Sequence, residues 1–202
     1  MKKRVIIALT ALLMMPLLAF GAPTAAQQMQ ACAKRYLKGN LTVSFGYSGK
    51  MGRGSGVLKS SGNKFALETS AGSTWYDGKT MWTYSPKMKE TTVVSPTKSE
   101  IAEANPIGLL RSAAGFNARY AAKQTSGASA IVLTPKTSGT GVKRIVVVLD
   151  AKTLMPKKID VTLSDGGTVA LSVKSLRNAS HTAGTFVYPK NRYPKVKIVD
   201  LR

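Results

Sequence analysis

The sequence predicts a mainly β protein with helices, of the α+β class, built on one antiparallel sheet. Three observations support this fold class: short segments in which apolar and polar residues alternate, glycine-rich turns between them, and two stretches in which apolar residues follow a helical spacing. Because the connections between most of the predicted strands are short, consecutive strands are expected to pair as antiparallel neighbours.

The first 26 residues have the pattern of a secretory signal peptide. Basic residues at 2–4 precede an apolar run over 5–20, and small residues follow that run. Pro16 interrupts the run, which is short for the roughly 20 apolar residues of a membrane-spanning helix. We therefore expect export of the chain and cleavage after Gly21 or Ala26.

The remaining residues, 27–202, are enough for a single domain with a sizeable core. They contain one cysteine, Cys32, and one histidine, His181, which excludes an internal disulfide and makes a zinc site unexpected. The glycine-flanked serine elbow, the paired carboxylates and the nucleotide-binding glycine motif of common enzyme classes do not stand out. The sequence therefore predicts a binding protein that is not an enzyme and that uses no metal or other cofactor.

The formal net charge is +21, and it falls to +18 without the basic residues at 2–4. All nine acidic residues lie at or beyond Glu68. Such a surface is expected to attract anionic partners, for example lipid headgroups or acidic protein faces. Nucleic acid is not expected as a partner, because the chain is exported and has no basic run interleaved with aromatic residues. Alternatively, the basic residues only keep the strands soluble and protect the sheet edges.

Helix and strand positions follow from the apolar spacing along the chain. A helix is predicted over 25–38, ended by Gly39, and the first strand over 41–48, while the glycine-rich stretch 49–56 is interpreted as a tight connection or bulged edge. Further strands are predicted at 63–69, 74–76, 81–84, 88–94, 130–134, 143–149, 158–163 and 168–175, with an edge strand at 196–199. The Asp-Gly steps at 77–78 and 165–166 are typical of hairpin turns.

The alternation stops between 97 and 114. A short capped helix is predicted at 99–104, and a second begins at Pro106 with an apolar stripe that includes Ile107 and Leu110. Two interpretations of this stripe are open. It packs permanently into the core, or it covers an apolar face of the sheet loosely and leaves a binding cavity.

Three segments carry a family resemblance. Residues 76–86 read YDGKTMWTYSP, residues 105–110 read NPIGLL, and residues 132–136 read VLTPK. In this order and spacing they resemble the periplasmic outer-membrane lipoprotein carriers of the LolA type, and the likeness covers nearly the whole chain after the signal peptide.

The resemblance implies an incomplete antiparallel β-barrel, a strongly curved sheet whose open side is closed by helices. It also implies a monomeric periplasmic carrier that binds the acyl chains of lipoproteins, with an inner-membrane lipoprotein-releasing transporter and an outer-membrane acceptor as partners. The residues expected to form the acyl-chain cavity and its lid are Val43, Phe45, Phe65, Leu67, Trp75, Ile107, Leu110, Ile131 and Leu133.

One departure from the family concerns how the lid is held. The best-known members of the family have an arginine before the strand that corresponds to the strand of Phe65, and it hydrogen-bonds to the lid, whereas residues 58–63 read LKSSGN here. We expect Lys59 or a serine hydroxyl to replace that arginine more weakly. Two other functions remain open: an exported carrier of another lipid or glycolipid, and a basic module that binds polyanions and has a filled core.

Overall fold

A computed structural model of the chain describes residues 22–49 and 52–202, so the basic and apolar parts of the predicted signal peptide lie outside the described residues. The α-helices are α1 (Ala25–Tyr36), α2 (Lys98–Ala104) and α3 (Pro106–Arg111), and short 3-10 helices lie at Ala113–Gly115, Ala183–Phe186 and Lys190–Arg192. The strands are β1 (Leu41–Gly49), β2 (Gly52–Ser61), β3 (Lys64–Thr69), β4 (Gly72–Tyr76), β5 (Met81–Ser85), β6 (Glu90–Val94), β7 (Phe116–Tyr120), β8 (Ala128–Pro135), β9 (Val142–Asp150), β10 (Pro156–Leu163), β11 (Thr168–Asn178) and β12 (Lys197–Asp200).

All twelve strands belong to one sheet in the order β12-β6-β5-β4-β3-β2-β1-β11-β10-β9-β8-β7. Every pair of neighbours is antiparallel except β12 and β6, which run parallel. The sheet curls without closing, so the predicted α+β fold with an incomplete barrel is confirmed. In the described part of the chain no helix is long and apolar enough to cross a membrane.

Strand alternation decides which side chains enter the core. In β9 Ile145, Val147 and Leu149 are fully buried, whereas Val146 and Val148 between them are half-buried on the opposite face. The hairpin turns use side chains as the sequence predicts: one carboxylate oxygen of Asp77 accepts hydrogen bonds from the backbone N–H groups of Lys79 and Thr80, both at 2.8 Å.

The N-terminal helix α1 covers part of the concave face. Thr24 caps it by accepting a hydrogen bond from the backbone N–H of Gln27, whose side chain accepts one from the backbone N–H of Thr24 in return. Met29 and Cys32 are buried against the sheet. The helix ends two residues earlier than the sequence predicts, before Gly39, which adopts a φ of +79°.

The glycine-rich stretch 49–56 differs from its prediction, because most of it forms strand β2. Bulky rings from the neighbouring strand take the room that side chains would need. A Cβ on Gly56 would lie 2.9 Å from the ring of Phe45, and a Cβ on Gly54 would lie 2.6 Å from the hydroxyl of Tyr47. Two other elements differ as well: β7 was not predicted as a strand, and β12 joins the sheet in parallel.

Candidate functional site

The concave face of the sheet has one densely packed part. Val43 from β1, Phe65 from β3, Ile131 and Leu133 from β8, and Leu110 from α3 all have zero exposure and belong to one hydrophobic cluster. Met29 and Cys32 of α1 belong to the same cluster. We refer to this part, defined by those five sheet and lid residues, as the filled region.

Beside it the same face encloses a cavity of about 260 Å³. Phe45, Leu58, Leu67 and Leu171 from the sheet and Ile107 from α3 line its apolar interior. We refer to this part as the hollow region. Its mouth is formed by the exposed lining residues Gly49, Gly52, Ala71, Thr83, Glu103, Asp165 and Thr168.

Residue size explains why one part is filled and the other is hollow. The facing ends of β1 and β2 contribute Gly49 and Gly52 to the cavity lining, and the turn between β3 and β4 contributes Ala71 and Gly72. Small residues cannot fill the space between a curved sheet and the helices above it, whereas the leucine, isoleucine and phenylalanine side chains of the filled region do. The cavity is therefore encoded by small residues at the ends of β1–β4.

The predicted site residues on the concave side of the sheet separate into two groups. Phe45, Leu67 and Ile107 line the cavity. Val43, Phe65, Leu110, Ile131 and Leu133 lie in the filled region, packed against the helices rather than along the cavity wall. Leu58, Leu163 and Leu171 also line the cavity but are not among the predicted residues. Strand alternation is the signal that could have identified them. It places Leu58 on the same face of the sheet as Leu67, and Leu163 and Leu171 on the same face as Ile159.

Trp75 is a correction, because it lies on the other face of the sheet. It pairs with Ala66, the residue next to inward-facing Phe65, so the two aromatic side chains point in opposite directions. Trp75 packs in a second cluster with Phe186 and Tyr188, where its ring meets that of Tyr188 edge-on at 5.5 Å between centroids. The C-terminal segment therefore covers the outer face of β3–β5 with aromatic side chains.

The lid, α2 and α3, carries its own caps. Thr97 caps α2 through a capping box with Glu100, and the hydrogen bonds from Thr97 hold the pKa of Glu100 below its usual value. The side-chain oxygen of Asn105 accepts a hydrogen bond from the backbone N–H of Gly108 at 2.9 Å. Both caps lie within the segment, so neither depends on where the lid sits on the sheet.

Arg111 at the end of α3 ties the lid to the sheet. Its guanidinium donates to the carbonyl oxygens of Gly62 and Gly39, both at 2.9 Å, and to the hydroxyl of Ser60 at 3.0 Å. Burial lowers the pKa of this half-buried side chain. The arginine thus comes from the lid and contacts the hairpin before Phe65, the reverse of the family arrangement.

The predicted substitutes for the family arginine have different positions. The Ser60 hydroxyl takes part in the contact with Arg111 as an acceptor. Lys59 instead approaches Glu68, with 3.9 Å between the charged atoms. Ser60 therefore helps to hold the lid as a hydrogen-bond acceptor on the sheet, whereas the charged donor, Arg111, belongs to the lid.

Neither the cysteine nor the histidine of the chain lines the cavity. No group of three or more metal-ligating side chains occurs in the described residues. Cys32 is fully buried, and burial raises the pKa of its thiol to about 12. The ring Nε2 of His181 lies 2.9 Å from the carbonyl oxygen of Leu41, away from the cavity.

Comparison with known proteins places the chain in a family. An uncharacterised conserved protein from Thermus thermophilus is similar in structure over 87% of this chain and 98% of its own, with a TM-score of 0.54 and 12% sequence identity. A LolA superfamily protein from Nitrosomonas europaea matches over 83% of this chain and 99% of its own, with a TM-score of 0.45 and 11% identity. A search of curated proteins found no significant match. Residues 20–166 match the family model for the outer membrane lipoprotein carrier protein LolA, so this chain belongs to that family and the resemblance predicted from sequence is confirmed.

Proposed function

We propose that this protein is a periplasmic carrier that binds the acyl chains of lipoproteins in the hollow region and moves them from the inner to the outer membrane. Its partners are then acylated lipoproteins, an inner-membrane lipoprotein-releasing transporter and an outer-membrane acceptor. The observation that carries the proposal is the apolar cavity of about 260 Å³ beneath a helical lid, in a member of a lipoprotein carrier family.

The size of the cavity suits part of an acyl chain. It is larger than the roughly 150 Å³ apolar cavities that admit benzene, and slightly smaller than the roughly 300–1,000 Å³ of sites for drug-sized ligands. A complete chain therefore requires the lid to move outward. Ile107 lines the cavity from the lid, and an entering chain would displace this side chain.

The energetics favour reversible binding. Burying one methylene contributes roughly 0.8 kcal/mol, so a fully buried 16-carbon chain would gain about 12 kcal/mol. Displacing lid residues such as Ile107 costs roughly 1.5–3 kcal/mol for each side chain that loses its buried position. This exchange offsets part of the gain and lets the carrier release its cargo.

The lid is suited to move as a unit. Its two caps are internal to α2 and α3, so they persist when the segment leaves the sheet. The attachments that must break include the packing of Ala102, Ile107 and Leu110 and the hydrogen bonds of Arg111. Arg111 therefore sets part of the barrier to opening.

Export follows from the predicted signal peptide, and the fold of α1 favours one of the two predicted cleavage points. Cleavage after Ala26 would remove the cap Thr24 and the buried Ala25 from α1. Cleavage after Gly21 leaves both in place. We therefore expect a mature chain that begins at Ala22.

Charge placed in the cavity wall tests the proposal. Leu67 is half-buried and lines the cavity, so Leu67→Glu should abolish uptake of a fluorescent acylated peptide, because a carboxylate in apolar surroundings repels hydrocarbon. Val148→Glu is the matched control, since Val148 is a half-buried residue on the outer face. Uptake should fall more than tenfold in the first variant and remain unchanged in the second.

Other outcomes would point to the alternative functions. Equal uptake of the acylated peptide by the two folded variants would show that the cavity does not bind the acyl chain. A polyanion-binding module predicts binding to anionic polymers that weakens strongly with salt, with no acyl-probe uptake. A carrier of another lipid or glycolipid predicts that this molecule co-purifies with the protein from the cell envelope and is found by mass spectrometry.

A further inference from the structure

The rings of Phe45 and Tyr47 on β1 lie across the neighbouring strand β2. In the register of the two strands, Phe45 pairs with Gly56 and Tyr47 pairs with Gly54. The ring of Tyr47 passes over Gly54, and its hydroxyl oxygen lies 3.3 Å from that of Ser70 in the turn after β3. Side chains on strands usually stand roughly perpendicular to the sheet. Because these two rings lean over β2 instead, they form part of the cavity wall rather than filling its interior.

Gly54 provides the room for the ring of Tyr47. A Cβ at position 54 would lie 2.6 Å from the hydroxyl oxygen of Tyr47, 2.8 Å from its Cζ and 2.5 Å from the hydroxyl oxygen of Ser70. Real Cβ atoms do not approach their neighbours so closely, so the ring would have to move. The backbone itself does not require glycine here, because Gly54 is not among the glycines with a positive φ. Any side chain at this position therefore displaces the ring.

The displaced ring would move into the cavity. Tyr47 is a half-buried residue that lines the cavity. Its partner on the other side is Leu171 of β11, which lines the cavity too. With the space above β2 taken by a Cβ, the ring can turn towards Leu171 or away from the sheet. Both movements take space that is now open to a hydrocarbon chain.

We propose that Tyr47 and Gly54 together set the length of acyl chain that the cavity accepts. This inference rests on the proposed function and assigns two residues that determine its specificity. Glycine at 54 lets the ring lie along the wall, and the contact between the hydroxyl groups of Tyr47 and Ser70 holds it there. A bound hydrocarbon chain then lies against the ring instead of competing with it for space.

The test compares Gly54→Ala with the wild-type mature protein in binding a series of fluorescent acylated peptides whose acyl chains increase in length. Each methylene that finds a place in the cavity raises affinity roughly fourfold. In Gly54→Ala this rise should stop at a shorter chain, and a ring that takes the place of two methylenes lowers the affinity for longer chains roughly 15-fold. The double variant Tyr47→Ala/Gly54→Ala should restore the rise, because it removes the ring that the new side chain displaces.

Gly46→Ala is the matched control, with the same substitution in the same pair of strands. Gly46 lies between Phe45 and Tyr47 in β1 and therefore faces the outer side of the sheet. Beyond the adjoining residues, the nearest neighbour of a Cβ at position 46 would be the carbonyl oxygen of Gly54 at 3.7 Å, which is an ordinary contact. This variant should bind every acylated peptide as the wild type does.

The outcomes distinguish this inference from the function on which it rests. If the wild type binds none of the acylated peptides, both are overturned. The role of the ring alone is overturned, and acyl binding stands, if Gly54→Ala has the same length dependence as the wild type, if the double variant does not restore binding, or if Gly46→Ala loses as much. If Gly54→Ala does not fold, Tyr47→Ala decides. In that variant the rise should continue to longer chains than in the wild type, and an unchanged limit overturns the inference.

Discussion

The filled and hollow regions lie on the same face of one sheet and under the same lid, yet they have different consequences. In the filled region, Phe65 and Leu110 are completely buried and connect the sheet to the helices. In the hollow region, small residues at the strand ends leave about 260 Å³ open next to Leu67 and Ile107. The two regions therefore differ in packing: the filled region joins the sheet to the helices, and the hollow region is where we propose that the ligand binds.

The largest expected effect separates the two regions by stability. Leu110→Ala in the filled region should lower the free energy of unfolding by about 3–5 kcal/mol, because it leaves a cavity in close-packed surroundings. Leu67→Ala in the hollow region should cost less than about 1.5 kcal/mol, since this side chain already borders open space. Urea denaturation measures the free energy of unfolding of both variants. Equal losses of stability would contradict the difference in packing between the filled and hollow regions.

The next effect concerns the attachment of the lid. Arg111→Ala removes three hydrogen bonds to Gly39, Gly62 and Ser60, and should lower the free energy of unfolding by about 1–2 kcal/mol, because Gly39 and Gly62 are exposed to water that can replace the donor. Arg111→Lys should not restore it, since lysine lacks the forked donor geometry. Stopped-flow uptake of an acyl probe should become faster. Slower uptake in a folded Arg111→Ala variant would refute a holding role, and Ser60→Ala serves as the milder control.

A third effect uses pH to report on the filled region. The folded pKa of Cys32 is raised from 9.0 to about 12 by burial, so the folded state retains the thiol proton while the unfolded state loses it. Stability contributed by this group is complete below about pH 9 and declines as pH rises between 9 and 12, by at most about 1.4 kcal/mol per pH unit. Unfolding measured at several alkaline pH values should show a steeper decline for the wild type than for Cys32→Ala. If stability declines equally with pH in the wild type and in Cys32→Ala, helix α1 must separate from the sheet at a low free-energy cost and expose the Cys32 thiol to water.

The smallest effect compares the two helix caps. Thr24→Ala and Thr97→Ala should each lower the free energy of unfolding by about 1 kcal/mol, because each removes a capping hydrogen bond. Thr24 caps α1, which packs on the filled region, so acyl uptake should not change. Thr97 caps the lid from within the lid segment and keeps this cap when the lid leaves the sheet, so uptake should not change in its variant either. A change of uptake in Thr24→Ala would show that the two regions are coupled.

Several parts of the molecule were predictable from local sequence patterns. Strand alternation, the Asp-Gly turns and Pro106 determine local structure through short-range rules, so the sheet and the lid could be placed in advance. The β2 glycines were misread because their compatibility with a strand depends on the rings of Phe45 and Tyr47 in the next strand. That information is absent from the local pattern of 49–56.

The candidate site was harder to predict because the cavity depends on positions where its wall has no large side chain. Apolar residues such as Phe65 and Leu110 stand out in the sequence, but they fill space, whereas the cavity arises where Gly52 and Ala71 leave it empty. Trp75 was misplaced because its face depends on pairing with Ala66. The contacts of Arg111 with Gly39 and Gly62 span 72 and 49 residues, which no short-range pattern reveals.

The most direct test of the account is to map where an acyl chain lies. An acylated peptide with a photoreactive group at the end of its acyl chain is bound to the mature protein, irradiated, and the labelled residues are identified by mass spectrometry. We predict labels on the hollow region, at Phe45, Leu67 and Leu171, and fewer labels when Leu67 is replaced by glutamate. Labels concentrated on the outer aromatic cluster of Trp75 and Tyr188 would contradict it.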